Sequence, residues 1–129
     1  MVYDRTTANP TIANVEEALQ LYRENGCHAL IAFGGGSPMD CAKGVGARVA
    51  RPHKKISSMR GELKILKPIP LLIAVPTTAG TGSETTLAAV LTDERTHEKY
   101  ALNDFVLIPR YAVLDPVLTE GLPPFITAT

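Results

Sequence analysis

Apolar residues recur at Ile12, Val15, Ala18, Leu19 and Tyr22, the spacing that gathers side chains on one helical face, which predicts an amphipathic helix over Thr11 to Asn25. Asn14 and Glu17 offer capping chemistry near its start, and Gly26 a stop. The pattern then changes. Ala29-Leu30-Ile31-Ala32-Phe33 is an unbroken apolar run bounded by glycines, the signature of a central parallel strand covered on both faces. After Gly34-Gly35-Gly36, the stretch Pro38 to Ala50 sets Met39, Ala42, Val45, Gly46 and Val49 on one side, small enough for a helix to lie close on a sheet.

Residues 51–67 are mixed and charged, with a weak apolar pattern at Ile56, Met59 and Leu63, and read as a connection holding one helical turn. Leu71-Leu72-Ile73-Ala74-Val75, between Pro70 and Pro76, predicts a second buried strand, because proline cannot donate to a ladder and marks both ends. Thr86–Leu91, Lys99–Leu102 and Tyr111–Leu114 read as short strands around a turn at Asp93-Glu94-Arg95-Thr96. Helix, strand, helix, strand in that order gives an α/β fold, a Rossmann-like parallel sheet with flanking helices plus short strands near the C-terminus.

Composition narrows the function classes. One hundred and twenty-nine residues allow one domain. Thirteen basic residues balance thirteen acidic ones, so no overall field draws the chain to nucleic acid or an anionic membrane. The basic run Arg48, Arg51, His53, Lys54, Lys55 lacks interleaved aromatics and reads as a solvated helix end and loop. Cys27 and Cys41 form no CxxC pair, and no apolar run approaches the roughly 20 residues that span a bilayer, so the expected setting is cytoplasmic. His28, His53 and His97 have no partner at helical metal-site spacing: His28 is expected to be packed or hydrogen-bonded, the other two solvated. No catalytic residue and no metal ligand can be named.

Chemistry gathers where the chain leaves the carboxyl ends of the two apolar strands, the position at which parallel sheets bind ligands. In the first loop, three glycines allow a close backbone approach, and the following helix start offers free N–H groups to an anion. Ser37 is expected as N-cap with Pro38 at the first helical position, and Asp40 is either the far half of a capping box or a ligand-facing carboxylate. The loop is not a GxGxxG fingerprint, since Met39 stands where the third glycine belongs. Nor is it a phosphate-binding P-loop, since Lys43 neither follows a glycine nor precedes Ser or Thr. The second loop sets Thr77, Thr78, Thr81 and Ser83 among Gly80 and Gly82, hydroxyls suited either to a ribose and an amide or to a self-satisfied polar turn. Both loops are expected to open on one crevice.

Together, Gly34-Gly35-Gly36-Ser37-Pro38-Met39-Asp40-Cys41-Ala42-Lys43 and Pro76-Thr77-Thr78-Ala79-Gly80-Thr81-Gly82-Ser83-Glu84 resemble the two nucleotide-site signatures of the iron-containing (group III, metal-dependent) alcohol dehydrogenase family. The resemblance extends through Asn9-Pro10-Thr11 upstream and through Val113-Leu114-Asp115-Pro116 and Leu122-Pro123-Pro124 downstream, so it covers essentially the whole chain. It implies that Gly35, Gly36 and Ser37 hold the pyrophosphate of NAD or NADP, with Asp40 near the nicotinamide end. It implies Thr77, Thr78 and Thr81 around the cofactor, and Thr86 and Lys99 on the nicotinamide ribose side. It further implies that residues 1–129 are a partial dinucleotide-binding domain of a larger two-domain protein, whose all-helical C-terminal domain carries the ligands for Fe2+ or Zn2+ outside this chain.

The function expected from that resemblance is interconversion of a small alcohol and its aldehyde or ketone by hydride transfer, in a homo-oligomer that engages neither nucleic acid nor membrane. The metal would act as Lewis acid and this segment would position the cofactor, being inactive alone. The alternative is a non-redox phosphate- or nucleotide-binding regulatory or interaction module using the same crevice.

Overall fold

The computed structural model describes residues 2–77, 82, 85–114 and 125–128. Helix α1 (Ile12–Glu24) starts at a reciprocal capping box: the Asn14 N–H donates to the Thr11 hydroxyl at 3.0 Å, and the Thr11 N–H donates to Asn14 Oδ1 at 3.1 Å. It ends where Gly26 adopts a positive φ of 60°. Strand β2 (Ala29–Gly34) follows directly, then helix α2 (Gly36–Ala50), a 3-10 turn at Ile56–Met59 and the two-residue strand β3 (Gly61–Glu62). Strand β4 (Leu71–Pro76) runs parallel to β2 in unbroken register, from Ala29 opposite Leu71 to Gly34 opposite Pro76.

The parallel arrangement extends from β4 to β7 (Tyr111–Ala112), but the sheet is mixed. On the other side of β2 lies β8 (Phe125–Ala128), antiparallel, and beyond it β1 (Val2–Tyr3), giving the order β1-β8-β2-β4-β7. A second sheet, β3-β6-β5, is built on the antiparallel pair β5 (Ala88–Thr92) and β6 (Lys99–Asn103), which are joined across the expected turn. The short C-terminal strands therefore do not extend the Rossmann-like sheet as one series: β5 and β6 form their own layer and β7 returns to β4.

Full coverage of β2 and β4 is only half realised. Leu30, Ala32, Leu72 and Ala74 are buried, whereas Ile31, Phe33, Ile73 and Val75, on the opposite pleat, are partly exposed. Helix α2 is the hub of the core, packed against β2, β4, α1 and β5. Its glycines make this possible. A Cβ on Gly44 would lie 2.8 Å from Val15 and 3.1 Å from Leu91, and one on Gly46 would lie 3.0 Å from Ile69.

In the basic run at the end of α2, His53, Lys54 and Lys55 are exposed as expected, whereas Arg48 and Arg51 brace the fold. Arg48 pairs with Glu16 at 2.9 Å and donates to the carbonyls of Pro52 and Lys54, while Arg51 Nε donates to the Ile65 carbonyl at 2.7 Å. His28 is exposed rather than packed, as are His53 and His97. Among the described residues no helix is long and apolar enough to cross a membrane.

Candidate functional site

The two loops singled out in the sequence leave adjacent strands at the same edge. They are tied at their roots: the Thr77 N–H donates to the Gly34 carbonyl at 2.8 Å. Gly34 has a φ of 143°, a conformation that side chains resist, which is why a glycine closes β2. Helix α2 then begins two residues earlier than the Ser–Pro pair suggests. Gly35 is the N-cap and makes no side-chain cap, so the N–H groups of Gly36 and Ser37 open the first turn without an intrahelical acceptor, and Pro38 has none to offer.

Ser37 is therefore not the N-cap, and Asp40, a full turn inside the helix, is not half of a capping box. The Ser37 hydroxyl instead donates to the Ala8 carbonyl at 2.6 Å, drawing the N-terminal segment over the start of α2. That segment is stitched to β5 as well, through the Thr92 N–H to the Pro10 carbonyl at 2.9 Å.

Between these parts opens a crevice of about 360 Å³, bounded by residues 8–10, by Gly36, Ser37 and Asp40 of α2, and by Val90, Thr92 and Lys99 of the β5–β6 hairpin. It thus brings Gly36, Ser37, Asp40 and Lys99 together, with Gly35 adjoining. Thr77 is buried at its strand end. Thr86 is held from inside the core, its carbonyl and hydroxyl accepting from Lys43 Nζ at 2.9 and 3.1 Å. Thr78 and Thr81 lie outside the described residues. A groove of the same volume between Pro68–Leu72 and Phe105–Arg110 is lined by apolar side chains apart from Arg110.

Asp40 is the chemically unusual member. Burial pushes its carboxyl up to about 6, against the opposing pull of a hydrogen bond from the Val90 N–H and the charge of Lys43. Cys41, beside it, is fully buried and its thiol is pushed up to about 12, so it is no nucleophile. No three His, Cys, Asp or Glu side chains among the described residues are placed to hold a metal ion.

Residues 8–10 complete the crevice wall, and only the Asn9-Pro10 part of it carried a signal in the sequence. Asn14 keeps that wall in place. Buried at the start of α1, it accepts from the Thr7 hydroxyl at 3.1 Å and donates to the Tyr3 hydroxyl and the Arg5 carbonyl. Asn14→Ala is expected to lower stability by about 1–2 kcal/mol, the loss of a cap plus a stranded donor, measurable by urea denaturation. A change below about 0.5 kcal/mol, the usual size at an unengaged surface position, would show that the segment is held by other means.

Comparison with known proteins decides the family. The family model for iron-containing alcohol dehydrogenase matches residues 1–116. The chain belongs to that family. It is 42% identical to alcohol dehydrogenase 4 of Schizosaccharomyces pombe over 127 residues, which cover 98% of this chain and 30% of that protein. The structure of an alcohol dehydrogenase from Oenococcus oeni superimposes with a TM-score of 0.83 at 40% identity, over 88% of this chain and 29% of that one. A sulfoacetaldehyde reductase from Bifidobacterium kashiwanohense, solved in complex with NAD+, gives a TM-score of 0.78 at 33% identity over 92% and 32% of the two chains. This iron-containing alcohol dehydrogenase chain thus spans about a third of the length of the relatives it matches.

Proposed function

We propose that the protein carrying this chain interconverts a small alcohol and its aldehyde or ketone with NAD as hydride carrier, and that the crevice beside α2 receives the cofactor. The observation that carries the reading is the uncapped, side-chain-free start of a buried helix at the carboxyl end of β2, opening on a cavity walled by Asp40 and Lys99. The donor set suits a dinucleotide. The amides of Gly35, Gly36 and Ser37 bind the pyrophosphate, Lys99 and Thr86 serve the nicotinamide ribose side, and Thr77, Thr78 and Thr81 belong to the loop around the cofactor. Family membership and a relative solved with NAD+ support the same assignment.

When bound, the nicotinamide supplies hydride transfer. Asp40 stands toward that ring, where its carboxylate favours the positively charged oxidised form over the neutral reduced one. The described residues do not fit a metal, so the iron of the family description has its ligands elsewhere in the protein, and no step through it is assigned to these side chains.

The reading is tested by fluorescence titration with NADH, using ADP-ribose as competitor, and by following alcohol-dependent reduction of NAD+ in the whole protein with and without a chelator. NADH should bind and be displaced by ADP-ribose, and chelation should stop turnover while leaving NADH binding intact. Binding of ATP with no binding of NADH would favour a non-redox nucleotide module instead.

A further inference from the structure

Lys43 is fully buried in α2, one turn beyond Asp40, among Ala42, Gly44 and Val45. Its ammonium donates to the Thr86 carbonyl at 2.9 Å, the Thr86 hydroxyl at 3.1 Å and the Ala88 carbonyl at 3.0 Å. A buried cation is costly to desolvate, and an apolar side chain of the same length packs such a place at least as well, so stability alone does not account for it. Its acceptors do suggest an account. Thr86 to Ala88 is the stretch through which the chain leaves the threonine-rich loop and enters β5, and β5 supplies Val90 and Thr92 to the crevice.

Resting on the cofactor reading above, we propose that Lys43 is a positioning residue of the nucleotide crevice, clamping the exit of the threonine loop and the head of β5 to α2 from inside the core. The clamp sets the register of β5 along α2, and that register delivers the Val90 N–H to the Asp40 carboxylate. One helix thereby presents two faces to the ligand's surroundings: its open start and Asp40 directly, and the opposite wall through Lys43. Among the described residues Lys43 on its own helix acts on the Asp40 carboxyl through its charge and Lys99 of β6 lines the same crevice, so loss of Lys43 removes a charge that holds the carboxyl down and pushes its titration further up.

The test compares Lys43→Met with the unmodified protein, with circular dichroism as the folding check. In nucleotide-free protein, hydrogen exchange at the amides of residues 85–92 should accelerate while β2 and β4 stay protected. Affinity for NAD+ should fall about tenfold or more, and the midpoint of its pH dependence should move above about 6, the value set by Asp40. Lys43→Gln, which can still donate to carbonyls, should recover the exchange protection in part without restoring that midpoint. Unchanged exchange at 85–92 in folded Lys43→Met, or acceleration spread equally over the whole sheet, would overturn the clamp.

If both variants fail to fold, the ammonium of the unmodified protein decides. Nitrogen-15 NMR should find one lysine NH3+ group protected from solvent at neutral pH and shifted by NAD+, and absence of such a group would overturn the proposal. Protection at 85–92 that depends on Lys43 in a protein that binds no NADH would leave the clamp standing and remove the cofactor reading instead.

Discussion

Asparagine in place of Asp40 is expected to make the protein more stable at neutral pH and a weaker binder of NAD+. The folded carboxyl titrates near 6 rather than at its ordinary 3.8, chiefly because it is desolvated. A raised carboxylate pKa has a definite sign in stability. Below about pH 4 the group is protonated in folded and unfolded chains alike and imposes no penalty. As pH rises through 4 to 6 the unfolded chain ionises first, and above about 6 the folded state bears the full cost. A shift of that size corresponds to a few kcal/mol at most, and partial solvent access reduces it to about 1–2 kcal/mol. The amide of Asp40→Asn would keep an acceptor for the Val90 N–H and shed the charge. Thermal melts at pH 7.5 should therefore rise by about 5 °C for this variant and show little change at pH 4.

Binding should move in the opposite direction. A carboxylate beside the oxidised ring contributes about 1–2 kcal/mol of attraction, so NAD+ affinity at pH 7.5 should drop about tenfold while NADH affinity stays nearly constant. In the unmodified protein NAD+ affinity should climb between pH 5 and 7, following the ionisation of a group near 6, and the variant should show a flat profile. Calorimetric titration at both ends of that range checks this. An Asp40→Asn protein that is no more stable, or that binds NAD+ as tightly as before, would remove Asp40 from the site. The opposition between stability and binding is the expected mark of a group retained for its chemistry.

Gly44→Val is expected to be the most damaging single change to the fold. The position is crowded from two directions, with Val15 Cγ2 of α1 at 2.8 Å and Leu91 Cδ1 of β5 at 3.1 Å from the first added carbon. Both neighbours are fully buried parts of the core, with little room to turn aside. Valine adds two further carbons where one already forces a shift, and the helix has to move away from α1, from β5 or from both. A loss of about 3 kcal/mol and about 10 °C in melting temperature follows. Since β5 bears one wall of the crevice, NADH affinity should fall with it. Gly26→Val is the control: nothing lies within 4 Å of an added Cβ there, so its cost arises from backbone conformation alone. A Gly44→Val protein that melts within a degree or two of the original would mean that α1 and α2 can separate freely.

The elements legible in the sequence are those whose side chains print a period. Val15, Ala18, Leu19 and Tyr22 mark α1 because one face of it is buried, and the apolar runs before Gly34 and Pro76 mark β2 and β4 with ends correct to a residue. The start of α2 is less legible. A glycine triplet has no side chain to mark the cap, and the Ser37-Pro38 pair imitates one while the serine hydroxyl is engaged with Ala8. Strands β1, β3 and β8 are two to four residues long, too short for a period of two to show, and their pairing is set by distant chain.

The site divides in the same way. Gly36, Ser37 and Asp40 of the glycine loop and helix start share a crevice with Lys99, a residue that only the family resemblance singled out, whereas the threonine loop contributes no described residue to its wall. The double reading of Asp40, cap or ligand-facing group, needs the helix start to be located before it resolves toward the crevice. Lys43 stands out in the sequence only as a failed match to the P-loop pattern. The available signal is a lysine set among Ala42, Gly44 and Val45 on a helix with little exposed surface, but its partners at Thr86 and Ala88 cannot be anticipated without the hairpin that carries them.

The insertion of β8 between β1 and β2 has a consequence for how the molecule is made. On a ribosome, the edge of Ala29–Gly34 that faces away from β4 has nothing to bond with until Phe125–Ala128 have been synthesised, and Val2–Tyr3 waits for the same residues. A nascent chain in this condition carries an open, apolar strand flank while the roughly ninety residues between the two strands are added. Ribosome-associated chaperones would be expected to engage the intermediate there, and slowing translation between Gly34 and Phe125 should lower the yield of soluble protein even though no contact of the finished structure is altered.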